Sequence, residues 1–100
     1  MYIVTTSVYP NDKAKDAAKM YMKMLEKYPE SASLNPEVLL VRGAFEGIKA
    51  ISIVEVKKGK FDGAMDFIVK RMVMFHDIPG YRYEIKTFLD VGEALALIGM

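Results

Sequence analysis

The sequence contains one histidine, His76, and it stands beside Asp77 at the end of a helical pattern. A histidine oriented by a neighbouring carboxylate can act as a general base or as an axial ligand. The alternative is structural, because a partial positive charge is favourable at the carboxyl end of a helix. We take His76 as the candidate catalytic residue. Since the chain has no cysteine and no second histidine, we predict no metal site and no bound cofactor.

Three further residues are candidates for ligand binding. Arg42 lies in the middle of an apolar segment, where a charge needs a partner. It either binds an anionic ligand or forms an ion pair with Glu84 or Glu55 on a neighbouring strand, and the ion pair is the simpler interpretation. Tyr9 and Tyr83 can line a cavity for a small apolar molecule, with their hydroxyls fixing its orientation. Packing within the sheet is the alternative for both tyrosines.

The first half of the chain predicts a strand and a helix. Tyr2 to Tyr9 is rich in β-branched and aromatic residues, and both of its faces are half apolar. Pro10 ends this strand, and Asn11 is placed to cap the helix that follows. The helix ends before Pro29. Its apolar residues repeat at the spacing of one buried stripe: Ala14, Ala17, Ala18, Tyr21, Met24, Leu25 and Tyr28.

A β-hairpin is predicted from Glu37 to Lys57, where the sequence EVLLVRGAFEGIKAISIVEVK consists of two apolar runs that meet at a glycine-containing bend. In the first run, Leu39 and Val41 face one way, while Leu40 and Arg42 face the other. Neither face is purely polar, which is typical of a sheet that is covered on both sides.

The second half predicts another helix, a strand and a short helix. Phe61 to Phe75 carries apolar residues at helical spacing, with Asp62 as a candidate cap and an Asp66 to Lys70 pair four residues apart. Tyr81 to Leu89 shows the clearest alternation in the chain, with one mostly polar face. Asp90 and Glu93 then form a capping box for the last helix.

This order of elements predicts an α+β fold in which residues 1–100 form a single ferredoxin-like βαββαβ domain with a short third helix. Right-handed crossovers place both long helices on one face of a four-stranded antiparallel sheet, so the other face is bare. Hydrophobic residues make up 52% of the chain, which is high for so small a domain. We therefore expect a second copy to cover the bare face, giving a homodimer or a larger homo-oligomer.

Composition and motifs argue against several classes of function. With 14 basic and 13 acidic residues the net charge is +1, so we expect neither nucleic acid nor membrane as a partner. The third strand, KAISIVEV, lacks the aromatic pair that RNA-binding domains of this topology use. No glycine-rich phosphate loop or nucleophile elbow is present. The N-terminal segment lacks the features of a signal peptide, which predicts a cytoplasmic protein.

Three segments carry a resemblance to a known superfamily: MYIVTTSVYP, LLVRGAFEGIKAISIVEV and YRYEIKTFLDVGEAL. Their layout resembles the dimeric α+β-barrel superfamily, which includes muconolactone isomerases and antibiotic-biosynthesis-type monooxygenases, and within it small uncharacterised prokaryotic proteins. The resemblance implies a ferredoxin-like dimer. Enzymes of the superfamily carry an asparagine on the first strand, a tryptophan on the second helix and a histidine near its end. Only His76 matches, since Thr5, Thr6 and Ser7 replace the asparagine and there is no tryptophan.

Two hypotheses of function follow. The first is a non-enzymatic homo-oligomer that binds a small apolar or anionic molecule or serves in assembly, with the second helix and the bare sheet face as its interaction surfaces. The alternative is a small cofactor-independent or haem-linked enzyme, similar to a monooxygenase or isomerase, that uses His76 and Arg42. A water-accessible cavity containing either residue would favour the enzyme.

Overall fold

A computed structural model describes all 100 residues of the chain. Four strands and three α-helices follow one another in the predicted order. Two short 3₁₀ turns, Asn11–Lys13 and Met74–Asp77, precede the first helix and follow the second. The regular elements are β1 (Tyr2–Tyr9), α1 (Ala14–Lys27), β2 (Val38–Ala44), β3 (Gly47–Glu55), α2 (Phe61–Val73), β4 (Arg82–Phe88) and α3 (Val91–Leu97).

The four strands form one antiparallel sheet in the order β2-β3-β1-β4. β1 is therefore central, with β3 on one side and β4 on the other. Val4, for example, lies opposite Ile53 of β3 and opposite Lys86 of β4. This is the ferredoxin-like arrangement, and it confirms the fold class predicted from the order of elements.

The register divides the side chains of the sheet between two faces, because neighbouring residues of a strand point to opposite sides. In β1, Ile3, Thr5 and Ser7 are buried beneath the helices, whereas the residues between them are only partly buried. We call the side without helices the open face. The faces predicted for β2, with Leu39 and Val41 on one side and Leu40 and Arg42 on the other, agree with this register.

The core lies between the other face of the sheet and the two long helices. Ile3 is completely buried and Val54 is 4% exposed, and residues of both α1 and α2 pack onto them. Both helices therefore lie on the same side of the sheet, as predicted. Ten apolar residues make up this core: Ile3, Ala17, Met24, Val54, Val56, Ala64, Ile68, Met72, Phe75 and Ile78.

Two apolar elements remain uncovered. Val38, Leu39, Leu40 and Val41 of β2 are between 39% and 59% exposed, although they include side chains on both faces of the strand. α3 buries none of its residues, and Leu97 is 76% exposed. The helices thus cover the middle of the sheet but leave its β2 edge open.

The helix caps differ in part from the sequence-based predictions. Asn11 caps no helix, because a 3₁₀ turn starts earlier: the Lys13 amide donates to the carbonyl oxygen of Pro10 over 2.9 Å. Asp62 lies inside the first turn of α2 and makes no side-chain cap. The capping box of α3 is confirmed, since the Glu93 amide donates to Asp90 over 2.7 Å. The predicted Lys70 to Asp66 ion pair is also confirmed, at 2.8 Å.

A glycine is required at the hairpin turn. Gly47 adopts a φ of 132°, which side-chain-bearing residues rarely adopt, and a Cβ atom there would collide with the backbone carbonyl of Tyr9. The hairpin therefore turns close against the end of β1.

None of the helices has the length and apolar character that a membrane span requires.

Candidate ligand-binding cavity

A cavity of about 660 Å³ lies between the sheet and the two long helices, next to the core. Small side chains from facing elements leave this space: Ala17 and Ala18 on α1, and Ala50 and Ser52 on β3. Toward β2 the cavity is bounded by Leu39 and Val41, which no helix covers. Of its 25 lining residues 15 are hydrophobic, as is usual for sites that bind small organic molecules.

Polar groups of the sheet form part of the cavity floor. Thr5 and Ser7 are buried on β1, and Tyr81 also belongs to the cavity lining. Burial raises the pKa of Tyr81, and it also raises the pKa of Tyr9. Both phenols therefore remain protonated around neutral pH and can donate a hydrogen bond to a ligand.

Three aromatic rings form a stack at one end of the cavity. The Tyr81 ring lies 5.2 Å from the Tyr9 ring, nearly parallel to it, and 4.7 Å from the Phe75 ring. Each of these residues comes from a different element: β1, the turn after α2, and the segment before β4. Their mutual packing fixes the rings, so this end of the cavity presents a rigid apolar wall.

Arg71 contributes the one cationic side chain to the cavity lining. Its guanidinium donates to the carbonyl oxygens of Tyr28, over 3.0 Å from Nε, and Pro29, over 3.2 Å. The guanidinium carbon also lies 4.4 Å from the centre of the Phe67 ring. Burial lowers the pKa of Arg71, and Glu37 opposes that effect. Arg71 thus joins the end of α1 to α2 without a carboxylate within ion-pair distance.

Two carboxylates also belong to the lining, and both come from the segment that leads into β2. Glu37 accepts a hydrogen bond from the hydroxyl of Ser52, and Glu30 follows Pro29. The cavity lining therefore carries charges of both signs, from Arg71 and from the two carboxylates. Of these carboxylates, Glu37 already accepts a hydrogen bond from Ser52.

The structure separates the residues singled out from the sequence. Tyr9 lines the cavity, whereas Tyr83 does not. Tyr83 instead meets His76: its hydroxyl lies 2.6 Å from His76 Nε2, and the two rings stack with 5.5 Å between centroids. His76 is exposed, in the 3₁₀ turn after α2. His76 and Tyr83 therefore form a surface pair outside the cavity.

Arg42 lies on the open face, so the sheet separates it from His76 within one chain. It stands opposite Lys49, which has the same charge. The carboxylates that the sequence suggested as partners are occupied elsewhere: Glu84 pairs with Lys86 over 2.6 Å, and Glu55 accepts from Asn35 over 2.7 Å. Arg42 consequently has no ion-pair partner in its own chain.

Sequence reasoning missed Arg71 as a cavity residue. Its position was visible in the helical pattern, because it follows Ile68 by three residues and precedes Phe75 by four, so it lies beside the buried stripe of α2. The hydrogen bonds to the end of α1 could not be foreseen, since they depend on how the two helices lie relative to each other.

The fold is shared with several crystal structures. A dimeric ferredoxin-like protein of unknown function from Thermobifida fusca YX has a TM-score of 0.54 at 11% identity, covering 88% of this chain and 92% of that one. A dimeric ferredoxin-like protein from an uncultured marine organism has a TM-score of 0.53 at 12% identity, covering 90% and 94%. An antibiotic biosynthesis monooxygenase has a TM-score of 0.51 at 15% identity, covering 89% and 99%.

These similarities establish the ferredoxin-like fold that the sequence resemblance implied. No protein-family model matches the sequence, and no curated protein matches it. At identities between 11% and 15% the relationship concerns the fold, and the function has to be argued from the residues of this chain.

Proposed function

We propose that this chain is a non-enzymatic binding module that holds a small, largely apolar molecule in the cavity between its sheet and its helices. The observation that carries the proposal is the cavity itself: about 660 Å³, mostly hydrophobic, with phenol and hydroxyl groups placed along one wall. That volume is within the range of sites that bury most of a small organic ligand. The proposal treats residues 1–100 as one cytoplasmic domain.

The position of Arg71 supports a ligand that carries an acidic group. Its guanidinium is partly withdrawn from water and donates only to backbone carbonyls, which leaves its second terminal nitrogen free to bind a carboxylate or sulfonate. The apolar part of the same ligand would then extend toward Phe75 and Tyr81, which line the cavity.

The module acts as a homodimer in this proposal. Its open face carries apolar side chains that no element of the chain covers, among them Leu40, which is 56% exposed. An uncovered apolar surface of this kind usually marks an interface. Two of the structurally similar proteins are themselves described as dimeric, which supports the same assembly here.

Binding can be tested with two fluorescent probes, the anionic anilinonaphthalene sulfonate and the uncharged phenylnaphthylamine. Ala50→Phe places a large ring in the cavity and should weaken the binding of both probes about tenfold or more, because the space they need is filled. Arg71→Met should weaken the sulfonate more than the uncharged probe, since only the sulfonate uses the guanidinium.

Ala96→Phe is the matched control, because Ala96 is exposed on α3 and is not part of the cavity lining. It should leave the affinity for both probes unchanged. Circular dichroism and urea unfolding establish that all three variants fold. If Ala50→Phe folds and still binds both probes as tightly as the unmodified chain, the cavity is not the binding site and the proposed function is wrong.

A further inference from the structure

Two side chains of opposite charge line the cavity without touching each other. Arg71 belongs to α2, and Glu37 belongs to the segment that leads into β2. They form no ion pair, because the three ion pairs of the chain involve other residues. Burial lowers the pKa of Arg71 and Glu37 raises it, so the carboxylate is near enough to stabilise the guanidinium charge. The two charges are therefore close to each other but separated.

The bonds that hold these two groups use only part of their hydrogen-bonding capacity. Arg71 donates from Nε and Nη2 to the carbonyl oxygens of Tyr28 and Pro29, and its Nη1 donates to no group of the chain. Glu37 accepts from the Ser52 hydroxyl through Oε2, and its Oε1 accepts from no group of the chain. Each group is thus fixed on one side and keeps one polar atom for a ligand.

The contact with Ser52 places the Glu37 carboxylate on the helical side of the sheet. Ser52 lies opposite Thr5 of β1, which is buried beneath the helices. Glu37 itself is exposed and Arg71 is partly buried, so water reaches the charged groups. They form a polar entrance to a cavity whose lining is mostly hydrophobic.

An apolar space begins a short distance from this entrance. Ala50 precedes Ser52 by two residues, so it lies on the same face of β3, about 7 Å away along the strand. Ala17 and Ala18 of α1 also line the cavity, and side chains this small leave room between the helix and the sheet. The separation between Ser52 and Ala50 is one that a benzyl group spans.

The charges of the lining favour a ligand that carries both signs. The lining contains one cation, Arg71, and two carboxylates, Glu30 and Glu37. A simple anion bound to Arg71 would lie beside the negative charge of Glu37, and a simple amine bound to Glu37 would lie beside the positive charge of Arg71. A molecule with an acidic group and an ammonium group gives each of these residues an opposite charge.

We propose that the ligand is zwitterionic: an α-amino acid with a large apolar side chain, whose carboxylate binds Arg71 and whose ammonium group binds Glu37. The inference rests on the proposed binding function and adds the chemical class of the ligand. The side chain of the amino acid lies against Ala50, in the space between β3 and α1. A longer side chain extends from there toward the ring of Tyr81.

Isothermal titration calorimetry can test the requirement for both charges with three related molecules. L-Phenylalanine carries both groups, 3-phenylpropionate lacks the ammonium group, and phenethylamine lacks the carboxylate. The unmodified chain should bind phenylalanine about tenfold or more tightly than either analogue, because each analogue leaves one charged side chain without its partner.

Glu37→Gln removes the charge and keeps an oxygen that can accept from Ser52. It should weaken the binding of phenylalanine about tenfold and should not weaken that of 3-phenylpropionate, which has no ammonium group. A variant that merely disturbed the structure would weaken both. Glu46→Gln is the matched control, because Glu46 is exposed in the hairpin turn and is not part of the cavity lining. It should leave the affinity for phenylalanine unchanged.

The outcomes separate this inference from the proposed function. If either analogue binds as tightly as phenylalanine, or if Glu37→Gln binds phenylalanine like the unmodified chain, the inference is wrong. If phenylalanine does not bind while Ala50→Phe still weakens the two fluorescent probes, the inference is wrong and the binding function stands. If neither phenylalanine nor either probe binds, both proposals are wrong.

Discussion

The two faces of the sheet are built from alternating residues of the same strands, yet they differ in what covers them. On the helical side Ile3 is completely buried and belongs to a packed core that adjoins the cavity. On the open side its neighbours Tyr2 and Val4 remain partly accessible. One residue of register thus separates groups that stabilise the single chain from groups available to a partner.

The comparison also shows where the helical layer ends. β2 is exposed on both faces. Leu39 lies on the helical side and is nevertheless 39% accessible, while Leu40 on the open side is 56% accessible. The same incomplete cover leaves room for the cavity, which reaches Leu39 and Val41. Limited packing of β2 is therefore linked to both proposed activities, ligand binding and self-association.

The largest loss of stability is expected from truncating a buried side chain on the helical side of the sheet. Ile3→Ala removes a fully buried side chain next to Val54 and should lower the free energy of unfolding by about 2–5 kcal/mol. Val8→Ala, on the open side of the same strand, should cost less than about 1 kcal/mol when the protein is diluted until the proposed dimer dissociates. Urea unfolding measures both values. Equal losses at the two positions would contradict the division of the sheet into a buried and an open face.

A charge introduced in the centre of the open face should weaken the dimer without unfolding the chain. Ile53→Asp places a carboxylate among Val38, Ile51 and Val4, where a partner would withdraw it from water. We expect the dimer dissociation constant to rise about a hundredfold, measured by light scattering against concentration, with little change in the circular dichroism spectrum.

Val69→Asp is the control for that change, because Val69 is 40% exposed on the outer side of α2. It should leave the dimer intact. The sequence predicted two interaction surfaces, the second helix and the bare sheet face. Ile53→Asp tests the sheet face, and Val69→Asp tests the helix. Dissociation by Val69→Asp alone would place the interface on the helix.

The fold was predictable because its elements carry local signals. Alternation assigned Leu39 and Leu40 to opposite faces of β2, and the capping box of Asp90 and Glu93 marked the start of α3. The cap at Asn11 was predicted wrongly because a 3₁₀ turn, which leaves no clear pattern in the sequence, precedes the helix. Local patterns therefore fixed the order and faces of the elements, although not their exact ends.

The candidate site was less predictable because it depends on distances between elements. Tyr9 lines the cavity, whereas Tyr83 contacts His76 outside it. Arg71 was missed, since its bonds to Tyr28 and Pro29 require the two helices to be in place. Arg42 was recognised as a charge in need of a partner, but the register that sets it opposite Lys49 depends on how β2 pairs with β3.

The smallest effect concerns Glu93 at the start of α3, which binds the N-terminal ammonium group. The hydrogen bond from the N-terminal ammonium group lowers the pKa of Glu93 the most, and the backbone amide of Asp90 lowers it further. A carboxylate with a lowered pKa stabilises the folded state above its ordinary pKa, and this contribution is lost as the pH falls through the lowered value. In an NMR titration, the Glu93 midpoint should lie below that of the same residue in the urea-unfolded chain.

Asp90→Ala removes one half of the capping box and should bring the Glu93 midpoint closer to the unfolded value, because the start of α3 loosens. Amide exchange should become faster in α3 and stay unchanged in β1, since α3 buries none of its residues in the core. A midpoint that stays low in this variant would show that the N-terminal ammonium group alone holds the carboxylate.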